Sequence, residues 1–373
     1  MRFPAPSFTR GEVGNVAAGA LRRPAARRLN FVDAFLWAFR LAVILVVVWG
    51  TVGTLRLGRY TGEQWVDFLV FGLAQGGIYA LIALGYTMVY GILRMINFAH
   101  GEVFMSGAYT AYFVAAPLAA SGFLDRHPIL SLLLLVAVAA AVSTGVAVLV
   151  ERVAYRPLRR APRLVPLITA IGASFFLQYA FRGLYGSGFK AYPEFQLFKG
   201  EWQILGVGVL RTQAVVLASA AVLMFALYQF VMRTKVGKAM RAVSEDKDAA
   251  ALMGIDVDRI IVLTFAIGGA AAGAAGILYA LVFKQVHFFM GFVPGIKAFT
   301  SAVLGGIGNI PGAMLGGLFL GVVESVGPAL FLDGLGIVAP YQLKDVIAFT
   351  MLVMVLIFRP QGILGERLAA KRA

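Results

Sequence analysis

Cysteine is absent from the 373 residues, and histidine nearly so, with only His100, His127 and His287. The first absence removes disulfides, thiolate nucleophiles and cysteine-held metals from consideration. The second leaves no zinc-ligand spacing. No GxxxxGK[ST] string occurs, so the chain has no phosphate loop with which to bind ATP. Charge is scarce as well, at 14% of residues, against about 25% in ordinary soluble domains. With 60% of residues hydrophobic and a mean hydropathy of +0.84, a soluble fold of two or three domains is excluded. The apolar residues come in continuous blocks and not in alternation, which excludes a β-barrel.

What is present is a series of blocks long enough to cross a bilayer. They run over Ala34–Leu55, Phe68–Ile92, Ala99–Ala120, Pro128–Val150, Leu164–Tyr185, Thr212–Val231, Ile260–Phe283 and Tyr341–Phe358. Between the last two lie two shorter pieces, Ala298–Ile310 and Gly312–Val326. The first is about 20 Å long as a helix, short for a hydrocarbon core of about 30 Å. Pro311 separates the two and cannot continue a helix. The pair reads as half-helices broken at Gly305, Gly306, Gly308 and Pro311, and such backbone is tolerated at membrane depth only beside protein or a water-filled path. The expected fold is therefore all-α and polytopic, with about nine membrane elements plus the broken pair.

Net charge is +15, yet this does not point to nucleic acid, because the basic residues lie in the short connections. The segment before Ala34, Arg94, Glu151–Arg163, Arg233–Arg259 and the residues after Phe358 hold two-thirds of the 33 Lys and Arg. By the positive-inside rule these face the cytoplasm, and so do both termini. On this basis Lys297 belongs to a connection on the opposite side, and Arg40 snorkels from within the first span. The organisation expected is a disordered cytoplasmic arm over 1–33 and an extra N-terminal span and loop over 34–60. A transport domain over 61–358 contains the cytoplasmic loop 233–259, and a cytoplasmic tail follows over 359–373.

Three constellations could carry chemistry. Asn97, His100 and Glu102 sit where two apolar blocks meet. Either Asn97 caps the following helix and its neighbours are satisfied locally, or these groups line or gate a solute path. His100 and Ser106 do not form a catalytic pair, since six residues on one helix place them about 120° apart. The stretch Met232–Arg259 contains Asp248–Ala249–Ala250 and Gly254. It reads as a short amphipathic helix with a glycine stop, either solvated or shaped to enter a groove on a partner. Small-residue pairs Gly269/Gly273, Gly312/Gly316 and Gly317/Gly321 permit close helix packing within the chain.

The strings YALIALGYTMVYGILRMINFAHGEVFMSGAY, ERVAYRPLRRAPRLVPLITAIGASFFLQ, MGIDVDRIIVLTFAIGGAAAGAAGILYA, GIKAFTSAVLGGIGNIPGAMLGGLFLGVVES and RPQGILG resemble the LivH-type permease of bacterial branched-chain amino acid ABC importers. The likeness runs from about Phe68 to Gly365 and leaves the first 60 residues outside it. It implies a non-enzymatic, cofactor-free transport subunit in the bacterial inner membrane, embedded in lipid. It implies as partners a second, LivM-type permease, two cytoplasmic ABC ATPases and a periplasmic substrate-binding protein. It further implies a coupling element at Glu245, Asp248, Ala249, Ala250 and Gly254, with Asp248 where the family usually has Glu. The translocation path is expected at Gln75, Tyr79, Tyr86, Asn97, His100, Glu102, Gly305, Gly306, Gly308 and Pro311. Sister permeases for urea and short amides share the MINxAHGE core and are the alternative. A cation-coupled secondary transporter using Glu324 is a more distant one.

Overall fold

The computed structural model describes residues 31–159, 161–162, 164–204, 207–359 and 361–365. The expected arm 1–33 falls outside the described residues except at its last three, and the tail does so from Glu366 onward. Among the described residues nine helices are long and apolar enough to cross a membrane. They are joined by two small two-stranded sheets.

Helix α1 (Phe31–Leu57) exposes most of its apolar side chains. It is held at its C-terminal end, where Gly50 and Gly53 lie against the backbone of Phe331 and Gly334. Arg59, just after it, pairs with Asp333 at 2.9 Å. Arg40 does not simply snorkel: its guanidinium stacks over Trp37 and Phe358, 4.6 and 4.0 Å from their ring centroids. Helix α2 (Gly62–Leu93) starts in a capping box, with the Thr61 hydroxyl accepting from Gln64 N–H and Gln64 Oε1 from Thr61 N–H. No charged residue follows Asp67 until Arg94, and from Gly72 onward the helix is almost wholly buried. It is the central element.

Helices α3 (His100–Ala120), α4 (Phe123–Arg126) and α5 (Pro128–Val150) follow, and α5 runs on through one π turn and one 3₁₀ turn to Leu158. Next come α6 (Leu164–Tyr185) and, after strand β1 (Lys190–Ala191) and the hairpin β2–β3 (Glu201–Ile204, Val207–Leu210), α7 (Arg211–Arg233). Two short helices, α8 (Lys235–Glu245) and α9 (Lys247–Leu252), lead into α10 (Val257–Phe283). Strand β4 (Gln285–Val286) pairs antiparallel with β1, Lys190 opposite Val286. The chain closes with α11 (Phe292–Gly305), α12 (Ile310–Gly327), a π turn and a 3₁₀ turn to Leu335, and α13 (Lys344–Phe358).

Backbone contact at glycine fixes how these helices meet. In α12, Gly317 and Gly321 lie on Ala80 and Gly76 of α2, so closely that a Cβ at either would collide with backbone. In α10, Gly269 and Gly273 lie in the same way against Ser143 and Ala139 of α5. Gly312 and Gly316 of α12 meet Gly305 and Ser301 of α11. All three small-residue pairs read from the sequence are seams within the chain. Such contacts replace hydrophobic driving force, which lipid does not supply, by close dispersion contact.

Candidate functional site

The half-helix lies earlier in the chain than hydropathy suggested. It spans Phe292–Gly305, and the second member continues to Leu335, long enough to span by itself. The break is confined to Gly306–Asn309, where Gly306 and Gly308 take φ of +105° and +98°, a region closed to most side chains. Pro311 is not in the break. It occupies the first turn of α12, where a proline costs nothing, and Asn309 caps that helix by accepting from Gly312 N–H at 2.9 Å. The last carbonyls of α11 are satisfied by the C-terminal segment: Ile363 N–H donates to Leu304 O at 2.8 Å and Leu364 N–H to Gly305 O at 3.1 Å. The cleft beside the break, about 440 Å³, is lined by Leu73, Leu315, Phe319, Val322, Ile363 and Leu364 among others and offers no side-chain polar group. Ile363 and Leu364 thus cover the end of α11, and the cleft beside them is apolar.

Moving α11 six residues back corrects the reading of Lys297, which leaves its supposed connection for the protein interior. Its ammonium forms a close pair with Glu324 of α12 and lies 2.6 Å from Asp345 of α13. Gln75 joins them, its Nε2 donating to Glu324 Oε1 at 3.2 Å and to the Tyr79 hydroxyl at 2.5 Å. Lys297 also sits 5.8 Å from the Tyr79 ring centroid. Two of the predicted path residues, Gln75 and Tyr79, thus belong to a buried network of charge that the sequence did not disclose.

A second polar focus forms around the start of α3. His100 packs against Gly85 and Gly268. Gly85 is eight residues, or about 12 Å, from the end of α2, so Arg94–Ala99 returns into the bundle before α3 begins. Tyr86 meets His100 edge to face at 4.8 Å between centroids and Phe299 at 6.0 Å. Glu102 is buried and accepts from Gln178 Nε2 at 2.7 Å and from the Ser174 hydroxyl at 3.2 Å, both on α6. Gly101 touches Gly291 and Gly295 at the start of α11. The N-termini of α3 and α11 therefore meet beside Glu102, and their positive dipole ends favour a carboxyl group there. Of the two readings of Asn97, the capping one does not hold. No side chain caps α3, whose N-cap is Ala99, and Asn97 Oδ1 instead accepts from the Tyr155 hydroxyl at 3.1 Å.

At the end bearing α8 and α9, Glu151 is buried and pairs closely with Arg159, which also meets Asp258. These residues read as loop because the apolar block stops at Val150. α9 is capped by Asp246, which accepts from the backbones of Asp248 and Ala249. It ends in a Schellman motif: Ile255 N–H bonds Ala250 O, Gly254 N–H bonds Ala251 O, and Gly254 takes φ +81°. Ala249 and Glu245 are exposed, as is Asp248. Ala250 is not: it is 4% exposed and packs inward. The exposed apolar groups here are Leu252 and Met253, at 90% and 82% exposed.

Residues 68–356 match the family model described as the branched-chain amino acid transport system permease component. A high-affinity branched-chain amino acid transport system permease protein of Pseudomonas aeruginosa, BraD, is 48% identical over 81% of this chain and 96% of its own length. LivH of Escherichia coli, of the same description, is 43% identical over 82% of this chain and 97% of its own. A probable LivM of Methanocaldococcus jannaschii is 27% identical over 39% of this chain and 44% of its own. Among solved structures, PsaBC from Streptococcus pneumoniae in complex with Fab superposes with a TM-score of 0.44 at 12% identity, covering 81% of this chain and 97% of that one. A match of that length to the family, with two relatives aligned almost end to end, means that this multi-pass inner-membrane chain belongs to the branched-chain amino acid permease family.

Proposed function

We propose that the chain is the LivH-type permease subunit of an importer that carries leucine, isoleucine and valine across the inner membrane. It pairs with a LivM-type permease, two cytoplasmic ATPases that hydrolyse the ATP, and a periplasmic binding protein that delivers the substrate. The observation that carries this reading is the identity of 43–48% with permeases named for high-affinity branched-chain amino acid transport, over almost the whole length of those proteins. The exposed Leu252–Met253 pair on a short, doubly capped helix supports it, because a rigid apolar knob at the basic end fits a groove on an ATPase. Both termini and that knob are then cytoplasmic, consistent with the distribution of basic residues.

The test is reconstitution of all five subunits in liposomes with ATP inside. The expected result is ATP-dependent accumulation of labelled leucine that needs the binding protein. Accumulation of urea in preference to leucine, or leucine uptake driven by a cation gradient with no ATP, would overturn the reading.

A further inference from the structure

Beside the Lys297–Glu324–Asp345 network lies a cavity of about 320 Å³, lined by Asp67, Phe68, Phe71, Gln75, Gln213, Glu324, Ser325, Tyr341 and Lys344. Its volume falls in the range of small-molecule sites, about 300–1,000 Å³. Asp67 and Gln213 stand near the ends of α2 and α7 that face away from α8 and α9, whereas Gln75 lies two turns deeper along α2. The cavity therefore descends from the far side of the membrane to the buried charges.

Two charged groups that line the cavity are not fully used. Lys297 holds Glu324 through one carboxylate oxygen, Oε1, and Gln75 donates to the same oxygen. Glu324 Oε2 is buried and has no partner, and the residue is 1% exposed. Leaving a buried acceptor unpaired is costly, and a donor that reaches it recovers that cost. Lys344, by contrast, is half-buried, and its nearest anionic neighbour is Glu324 Oε1 at 4.0 Å. Each member of this pair lacks a full set of partners: a carboxylate oxygen that accepts from nothing, and an ammonium whose nearest anion stands 4.0 Å away. An α-amino acid carries the reverse pair, its ammonium and carboxylate lying about 3 Å apart by ordinary bond lengths. A neutral amide could hydrogen-bond to both but brings no charge to either, and an amine without a carboxylate has no anion for Lys344. Phe68, Phe71 and Tyr341 supply an apolar wall beside the charges.

We infer that this cavity is a relay site in the permease itself for the zwitterionic head of an aliphatic α-amino acid. Glu324 Oε2 accepts from the α-ammonium, Lys344 holds the α-carboxylate, and the aliphatic side chain lies on Phe68, Phe71 and Tyr341. Lys297 is the positioning residue that holds Glu324 by its other oxygen, Oε1. The site rests on the importer reading above and adds to it a place where this chain itself reads the substrate.

The test uses the absence of cysteine. In the full importer, in nanodiscs and without binding protein, Gln213→Cys places one thiol in the cavity, and its labelling rate by a small maleimide is followed. Leucine should slow labelling by 1 + [L]/Kd, about tenfold at ten times Kd. 3-Methylbutylamine, which lacks the carboxylate, and 4-methylpentanoate, which lacks the ammonium, should not protect at the same concentrations. Adding Lys344→Gln should abolish protection by leucine while ATPase co-purification is retained. No protection by leucine into the tens of millimolar overturns the proposal, as does equal protection by the amine, or full protection with Lys344→Gln. The ligand comparison needs only the Gln213→Cys protein, so it decides even if the double variant fails to assemble. ATP-driven leucine uptake without cavity protection would sink the relay site and leave the importer standing. The converse, protection without ATP-driven uptake, would do the opposite.

Discussion

Glu102 forms no ion pair among the described residues and is held by Gln178, Ser174 and two helix N-termini alone. Removing one donor leaves a buried carboxyl group short of a partner, at about 1–3 kcal/mol. Gln178→Leu is therefore expected to lower the melting temperature of the purified permease, followed by tryptophan fluorescence in detergent. Adding Glu102→Gln, which removes the ionisable group and keeps the shape, should restore part of the loss. An unchanged melting temperature in Gln178→Leu would show that the dipoles suffice. His287, in the connection after β4, gives a pH dependence of defined sign. Burial holds its imidazole below the usual 6.5, and its Nδ1 accepts from Phe289 N–H at 3.2 Å. The unfolded chain takes up the proton first as pH falls. Stability is thus whole above pH 6.5 and declines below it, through the folded value. Replacing His287 with Gln should flatten the melting temperature between about pH 7 and pH 5.

Helix α9, six residues long, is fixed at both ends and along one face. Asp246 fixes one end, Gly254 the other, and Ala250 anchors it to the body of the chain. Bulk at Ala250 would lift the helix off its seat, at about 1–3 kcal/mol, so that site tests folding more than docking. Leu252→Asp with Met253→Asp addresses docking directly. The pair should leave the permease monodisperse and weaken co-purification of the ATPases by roughly 30-fold, the loss of about 2 kcal/mol typical of a buried apolar anchor. Undiminished co-purification would move the contact elsewhere. The spans were legible in the sequence because apolar length is a local property, and so was the glycine stop of α9. The register of α11 was not. Hydropathy rises only at Ala298, whereas the helix starts at Phe292 with Pro294 in its first turns and stops where Gly306 turns to positive φ. Lys297 was misplaced for that reason. Its partner Glu324 is 27 residues away, and no local pattern announces such a pair. The partners of Glu102, 72 and 76 residues distant, were hidden in the same way. RPQGILG was visible as a motif, while its role in capping α11 needed the fold.

For the whole molecule the first question is orientation, which follows from charge and not from packing. Ser244→Cys should resist a membrane-impermeant thiol reagent in spheroplasts and react in inverted vesicles, while Ser187→Cys, exposed before β1, should do the reverse. Reaction of Ser244→Cys from outside would invert the topology and place Leu252 and Met253 beyond the reach of any cytoplasmic ATPase. The glycine seams have a consequence for how the sequence can change over time. In a water-soluble core the large side chains are the hardest to replace. Here Gly76, Gly273, Gly317 and Gly321 admit no added carbon without moving backbone, whereas Leu130, Leu133, Ile168 and Phe176 lie exposed at the surface of the chain. Tolerance to substitution should therefore run inversely to residue size. The smallest residues would be the fixed points of the lineage, and the bulky outward ones would drift with the lipid around them.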